Sequence, residues 1–286
     1  MTGAEQMLLE NEIERIRMNI HKQFPDITFP EPVMEPVWYG RLKHKAFPNR
    51  KAILDLNTGK EWDIVSNEYH LITHEEVVHD LLSSVPEEFG APKVSIKMWA
   101  DSARIRVSLT FPDVPGKERF EIKAGDMVEP RISAYSSYDR STYQGVAFGA
   151  LQQVCTNGLV AFREEKKRRK HILSSRVRPE ELTNDVKQFL TDFSSTTDLW
   201  REWANRTLAK LEFDEVMTAL PFSEAETTRI KELPLMNNDG KNILQLDKIT
   251  LWDVSSAATQ FARHEVRGEQ RSMELEGQIA AVLYEV

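Results

Sequence analysis

Apolar residues recur at two different periods along this chain, and the change of period divides it. Leu8, Leu9, Ile13, Ile16 and Ile20 are spaced as on one helix face, with charged residues between them, which predicts an amphipathic N-terminal helix. Pro25, Pro30, Pro32 and Pro36 then predict an extended connector, because proline and its preceding residue both resist helix. From Val37 the period shortens toward two. Val37–Gly40, Ala52–Leu56 and Trp62–Val65 read as short strands, with Asn57-Thr58-Gly59 turning the chain between two of them. Thr73 followed by Glu76 has the spacing of a capping box, so a helix with apolar face Val77, Val78, Leu81 and Leu82 is expected.

The clearest strand pair is Lys93–Ala100 with Arg104–Phe111, joined tightly at Asp101-Ser102. Ile105, Val107, Leu109 and Phe111 alternate with Arg104, Arg106, Ser108 and Thr110, which predicts one buried face and one wet face. Phe120–Lys123 and Met127–Tyr135 continue the sheet. After Arg163 helix formers take over: Asp185–Phe193, Asp198–Leu211 and Ser223–Leu233 read as helices, and Leu251–Val286 as one or two more. Trp200, Trp203, Leu199, Leu208 and Leu211, with Phe189 and Phe193, have the spacing of buried helix faces. The expected fold class is α+β, an antiparallel β-sheet in the N-terminal half and a helical C-terminal third. The division is 1–36 (helix and Pro-rich connector), 37–162 (β-rich core) and 163–286 (basic connector and α-helical region).

Composition narrows the classes without choosing a function. The chain has 286 residues, 41% hydrophobic and 29% charged, which suits a folded protein rather than a disordered one. Its formal charge of -8 argues against broad binding to duplex DNA, though not against a local basic track. Cys155 is the single cysteine, so neither an internal disulfide nor a cysteine-paired zinc site is expected. The acidic N-terminal helix lacks the pattern of a signal peptide, and no apolar run reaches the length of a membrane helix. A cytoplasmic protein with no membrane partner is therefore expected.

No phosphate loop, dinucleotide fingerprint, zinc-protease or nucleophile-elbow motif occurs, so the expectation leans against an enzyme, with no cofactor and no metal. His74 and His79 lie five apart, roughly 140° around a helix, so they do not converge on a metal; a solvated helix is expected there. The most distinctive stretch is Arg131–Ala161, which combines Tyr135, Tyr138 and Tyr143 with Arg131 and Arg140, then Cys155-Thr156-Asn157-Gly158. Ser137-Tyr138-Asp139-Arg140-Ser141 followed by Val154-Cys155-Thr156-Asn157-Gly158-Leu159 resembles the phage- and plasmid-like family catalogued as domain of unknown function 932. Trp62–Glu76 resembles that family's early strand-to-helix segment, and Thr250–Asp253 with Thr259-Gln260 and Arg263-His264 its C-terminal helix. The sequence departs at Arg140, where the family usually has glycine. The resemblance implies a mobile-element origin and brings no agreed activity or catalytic residues.

Two readings of the tyrosine-rich stretch stand side by side. In one, Asp139 and Ser141 close a turn, Gly158 supplies a positive φ and Cys155 is a buried strand residue. In the other, Tyr135, Tyr138 and Tyr143 stack on bases while Arg131 and Arg140 meet phosphates. Lys166, Lys167, Arg168, Arg169 and Lys170 read either as a solvated connector or as a contact to a nucleic-acid backbone. The functional expectation is a non-catalytic protein of a phage or mobile element that binds or anneals single-stranded DNA, as a homo-oligomer. Single-strand annealing proteins share this general layout, an analogy at the level of fold. The alternatives are a protein-interaction factor of anti-defence type that inhibits or recruits a host enzyme, the host protein then being its partner, and an enzyme in which Cys155, Asp139, Asn157 and a histidine converge.

Overall fold

The computed structural model describes residues 3–40, 45–116, 119–142, 144–152, 157–160, 179–232 and 248–286. Helix α1 (Gly3–Gln23) is followed by three strands, β1 (Pro32–Tyr39), β2 (Lys45–Asp55) and β3 (Glu61–Ser66), which form a small antiparallel sheet in that order. The β2–β3 turn is built on Asp55: its carboxylate accepts hydrogen bonds from the Asn57 and Glu31 N–H groups and from Thr58 Oγ1. Helix α2 (His74–Ser83) starts as its sequence requires, with both bonds of the Thr73/Glu76 capping box formed.

The large sheet contains β4 (Lys93–Trp99), β5 (Arg104–Thr110), β6 (Phe120–Lys123), β7 (Asp126–Ser137), β8 (Gly145–Gln152) and β9 (Asn157–Val160). Its order is β4-β5-β7-β8-β9, with β6 pairing the start of β7 on the side opposite β8. Helices α3 (Pro179–Asn205), α4 (Lys210–Ala219), α5 (Glu224–Glu232), α6 (Leu251–Gln260) and α7 (Glu269–Leu283) follow, a π-helical turn at Phe261–Glu265 linking the last two. The fold is α+β, as the change of period predicts.

Ile105, Val107 and Leu109 of β5 and Ile132 of β7 form the apolar face that meets α2 and α3. Phe120 and Phe148 meet Phe193 and Phe189 of α3 there, at ring separations of 4.8 and 5.2 Å. The same buried cluster takes in Ile16 and Ile20 of α1 and Trp252, Leu275 and Ile279 of α6 and α7, so all three sequence segments share one core. At one end of the sheet Asp126 is buried, its carboxylate accepting from Gln152 Nε2 at 2.8 Å and from Trp252 Nε1 at 2.7 Å.

Several expectations change. The face predicted to be wet is covered: Arg106, Ser108 and Thr110 are all buried, because α7 lies across it and supplies carboxylates to its arginines. The two helices read at Asp185–Phe193 and Asp198–Leu211 are one helix, α3, which ends before Leu211. Thr197 Oγ1 donates back to the Ser194 carbonyl at 2.7 Å, so the intervening hydroxyl run is satisfied inside the helix. Leu211 is exposed on α4, whereas Trp200, Trp203, Leu208, Phe189 and Phe193 are core. The α2 histidine read as solvated, His74, is fully buried.

Candidate nucleic-acid interface

The segment Tyr138–Ser141 leaves β7 and immediately meets the small sheet. Tyr138 has no exposed surface; its ring lies 4.1 Å from His74 and 4.7 Å from Trp62, and its oxygen accepts the His74 backbone N–H at 2.8 Å. Burial therefore holds the phenol protonated, well above the usual tyrosine range. Asp139 closes the following turn, accepting from Ser141 N–H at 3.1 Å and from Ser141 Oγ at 2.6 Å, and pairs with Arg104 at 2.7 Å. Burial alone would push the Asp139 carboxyl up; Ser141 and Arg104 outweigh it and hold the group below the usual carboxylate range. Arg140 adopts φ +54°, the left-handed region that glycine enters freely, so the tight turn survives with arginine in the glycine position. Its guanidinium is held by both carboxylate oxygens of Asp63 on β3.

Arg131 and Tyr135 lie on the covered face of the large sheet. Arg131 pairs with Glu276 of α7 at 3.4 Å, and Arg106 beside it pairs with Glu269 at 2.7 Å. Arg263 of the π-turn approaches both glutamates. Burial, with Arg263 and Arg131 nearby, pulls Arg106 down to about 10 in spite of the two carboxylates. The Tyr135 ring lies against Gly145, where a β-carbon would come within 2.7 Å of it. Tyr135, Tyr138 and Arg131 thus present no surface on which a base or phosphate could rest in this conformation. The sequence offers them as contacts; the structure places them beneath the α7 and β3 cover, which local sequence could not reveal. Arg140 is exposed but already paired with Asp63. Tyr143, Lys166, Lys167, Arg168, Arg169, Lys170 and Cys155 lie outside the described residues. Among the described residues no group of His, Cys, Asp and Glu gathers as a metal site.

Exposed aromatic surface is found instead at the far end of the β1–β2 hairpin. Trp38 is 53% exposed, Phe47 48% and Tyr39 46%. The register pairs Tyr39 with Lys45 and Trp38 with Ala46, which places Tyr39 and Lys45 on one face and Trp38 on the other. Phe47 meets Tyr39 edge-on at 5.6 Å. Before this point the register is broken between Pro36 and Trp38, and Asn49 on β2 takes φ +59°, so a bulge re-aims the hairpin end away from the small core. Lys45 and Arg50 are exposed there, and neither is paired with a described carboxylate.

Local sequence carries a signal for this site that alternation and motif searches pass over. Between Trp38 and Lys51 stand Arg41, Lys43, Lys45, Arg50 and Lys51, with no acidic residue, in a chain whose net charge is -8. The cations are scattered among apolar and loop residues, so they do not form the contiguous run seen at Lys166–Lys170. Coupling local charge with aromatic content would have found them.

Among the described residues no helix is long and apolar enough to cross a membrane. No curated protein and no solved structure matches the chain. One family model does, over residues 61–282, and these contain the three stretches that meet at Tyr138, at Asp126 and beneath α7. The chain belongs to the family described as Domain of unknown function (DUF932).

Proposed function

We propose that the protein binds single-stranded nucleic acid without catalysing a reaction on it, and that the end of the β1–β2 hairpin makes the contact. The observation that carries this reading is three half-exposed aromatic rings at one hairpin end, Tyr39 and Phe47 in contact on the face of Lys45 and Trp38 on the other face, with Lys45 and Arg50 on the same strand as cations that no described carboxylate neutralises. Bases offer a π-face to such rings whatever their identity, each stack contributing about 1–3 kcal/mol, while the cations neutralise phosphates. Paired bases hide those faces, so a duplex gains only the electrostatic part. The basic run Lys166–Lys170 supplies a second stretch of charge for the same backbone.

Fluorescence anisotropy with labelled oligothymidine tests this. Replacing Trp38, Tyr39 and Phe47 together by Ala should weaken binding at least about tenfold, the equivalent of removing one stacked base. Replacing Lys45 and Arg50 by Ala should reduce the dependence of log affinity on log salt by about 0.7 for each phosphate that is no longer neutralised. No binding below about 10 μM at low salt, or binding unchanged by the aromatic triple variant, overturns the proposal.

A further inference from the structure

The small sheet is joined to the rest of the molecule in an unusual way. Its interior is a separate apolar cluster of Ile53, Val65 and Tyr138, with Met34, Trp62, Tyr69 and Leu71 against it. Of the three fully enclosed members only Tyr138 comes from the large sheet, whose own core is continuous from α1 to α7. Beyond the packing of this cluster on the Tyr138 ring, the ties that join β3 and its leading turn to the large sheet are polar. Trp62 Nε1 donates to the Asp101 carbonyl at 3.1 Å, Lys60 pairs with Asp101 at 3.0 Å, and Asp63 pairs with Arg140.

All three of these ties end on backbone held in the left-handed region. Ala100, Asp101 and Ser102 have φ of +55°, +53° and +60°, three consecutive residues with side chains, and Arg140 has +54°. Such residues sit well above their preferred conformations and stay there only where their surroundings hold them. The β4–β5 turn is gripped from two sides. Trp62 of the small sheet holds the Asp101 carbonyl; from the other side His74 Nε2 donates to the Ser102 carbonyl at 2.9 Å, and Tyr138 N–H donates to the Ala103 carbonyl at 2.7 Å. Of these grips only the first comes from the small sheet.

We propose that β1–β3 is a hinged arm pivoting on Tyr138, and that a single strand captured at its hairpin end shifts the balance between the docked and the lifted arm. The second half rests on the nucleic-acid reading above; the hinge does not. Tyr138 is then a positioning residue: it sets where the aromatic hairpin stands without touching the strand. An equilibrium of this kind needs two arrangements of similar free energy, and a small sheet with its own core, tied by exposed pairs to a strained turn, supplies them.

Amide hydrogen exchange on the full chain, with and without oligothymidine, separates the parts. Without ligand, the amides of Ala52, Ile53 and Leu54 should exchange at least about tenfold faster than those of Val107, Leu109 and Ile132, and Ala100–Ala103 should follow the arm. Trp62→Phe, which keeps a ring but removes the donor to Asp101, should speed exchange in the turn and leave Val107 and Ile132 unchanged. Tyr138→Phe keeps the ring on which the arm packs and removes only the acceptor of the His74 N–H, so it should speed exchange at the start of α2 and leave the arm unchanged; a general loss of protection in either variant counts against the hinge. Arm amides as protected as those of β5 and β7 overturn the hinge whatever binds. Saturating oligothymidine should change the exchange of β2 and of Ala100–Ala103 together; binding seen by anisotropy with no change at that turn overturns the coupling. Absence of binding overturns the nucleic-acid reading alone, and the ligand-free exchange still decides the hinge.

Discussion

The large and small sheets are both antiparallel, and each carries an arginine–carboxylate pair that ties it to another element. In the large sheet Arg131 meets Glu276 with side chains 9% and 6% exposed; at the small sheet Arg140 meets Asp63 with 55% and 19%. The chemistry is the same and the surroundings are opposite. Under α7 the charges have been taken out of water, so each exists only because its partner does. At the arm, water competes for the guanidinium and the pair can open at little cost. Where this molecule can move follows from that difference: a face sealed by buried ions is committed, and one joined by exposed ions is negotiable.

The contrast can be broken most directly at Arg131. Arg131→Ala leaves Glu276 with a buried, under-compensated charge and should destabilise the protein by about 3–5 kcal/mol in urea unfolding. Replacing both partners, Arg131→Met with Glu276→Leu, should recover most of that loss. A cost below about 1 kcal/mol for the single change would mean that α7 is not sealed onto the sheet.

A second, intermediate effect is in the pH dependence. Burial would raise the Glu269 carboxyl, but Lys97, Arg106 and Arg263 together hold it below its usual value. A depressed folded-state value stabilises the fold fully above the unfolded value of about 4.3, and that contribution is lost as pH falls through the lower folded value. Glu269→Gln should therefore lower the melting temperature near neutral pH and flatten its decline in acid. Parallel melting-temperature curves for the two proteins from neutral to acid pH would refute the assignment.

The smallest effect is expected at Arg140. Arg140→Ala should cost no more than about 1 kcal/mol, since it removes an exposed pair. Arg140→Gly should be more stable than Arg140→Ala by about 1 kcal/mol, because glycine occupies the left-handed turn without strain. Equal stability of the two variants in urea would show that the turn relaxes when the arginine is gone.

These same places show how far local sequence reaches. The Thr73/Glu76 cap spans four residues, and both of its bonds are where the spacing puts them. The alternation in β5 locates its apolar face correctly, because Ile105, Val107 and Leu109 need only to face the same way. It cannot reveal that Arg106 and Ser108 are also covered, since the compensating glutamates arrive from α7; Glu276 stands 145 residues beyond Arg131. Tyr138 stands out in the sequence but its burial is not legible there, because the Trp62 and His74 rings that enclose it come from a different sheet and a helix start. The hairpin escapes notice for the opposite reason: its residues look like an ordinary half-buried strand pair, and only the missing cover makes Trp38 and Phe47 distinctive.

The buried Asp126 has a consequence for how the molecule is made. Its carboxylate sits in the second half of the sheet, and while Gln152 of β8 is one donor to it, the other, the indole of Trp252, lies 126 residues further along. A chain growing from its N-terminus completes β4–β8 long before that donor has been synthesised, and until then the sheet's end must stay open to water. Closure of this end of the core therefore waits for α6. A chain that lacks α6 leaves Asp126 with Gln152 but without the indole, at an end of the sheet that the helix would otherwise cover.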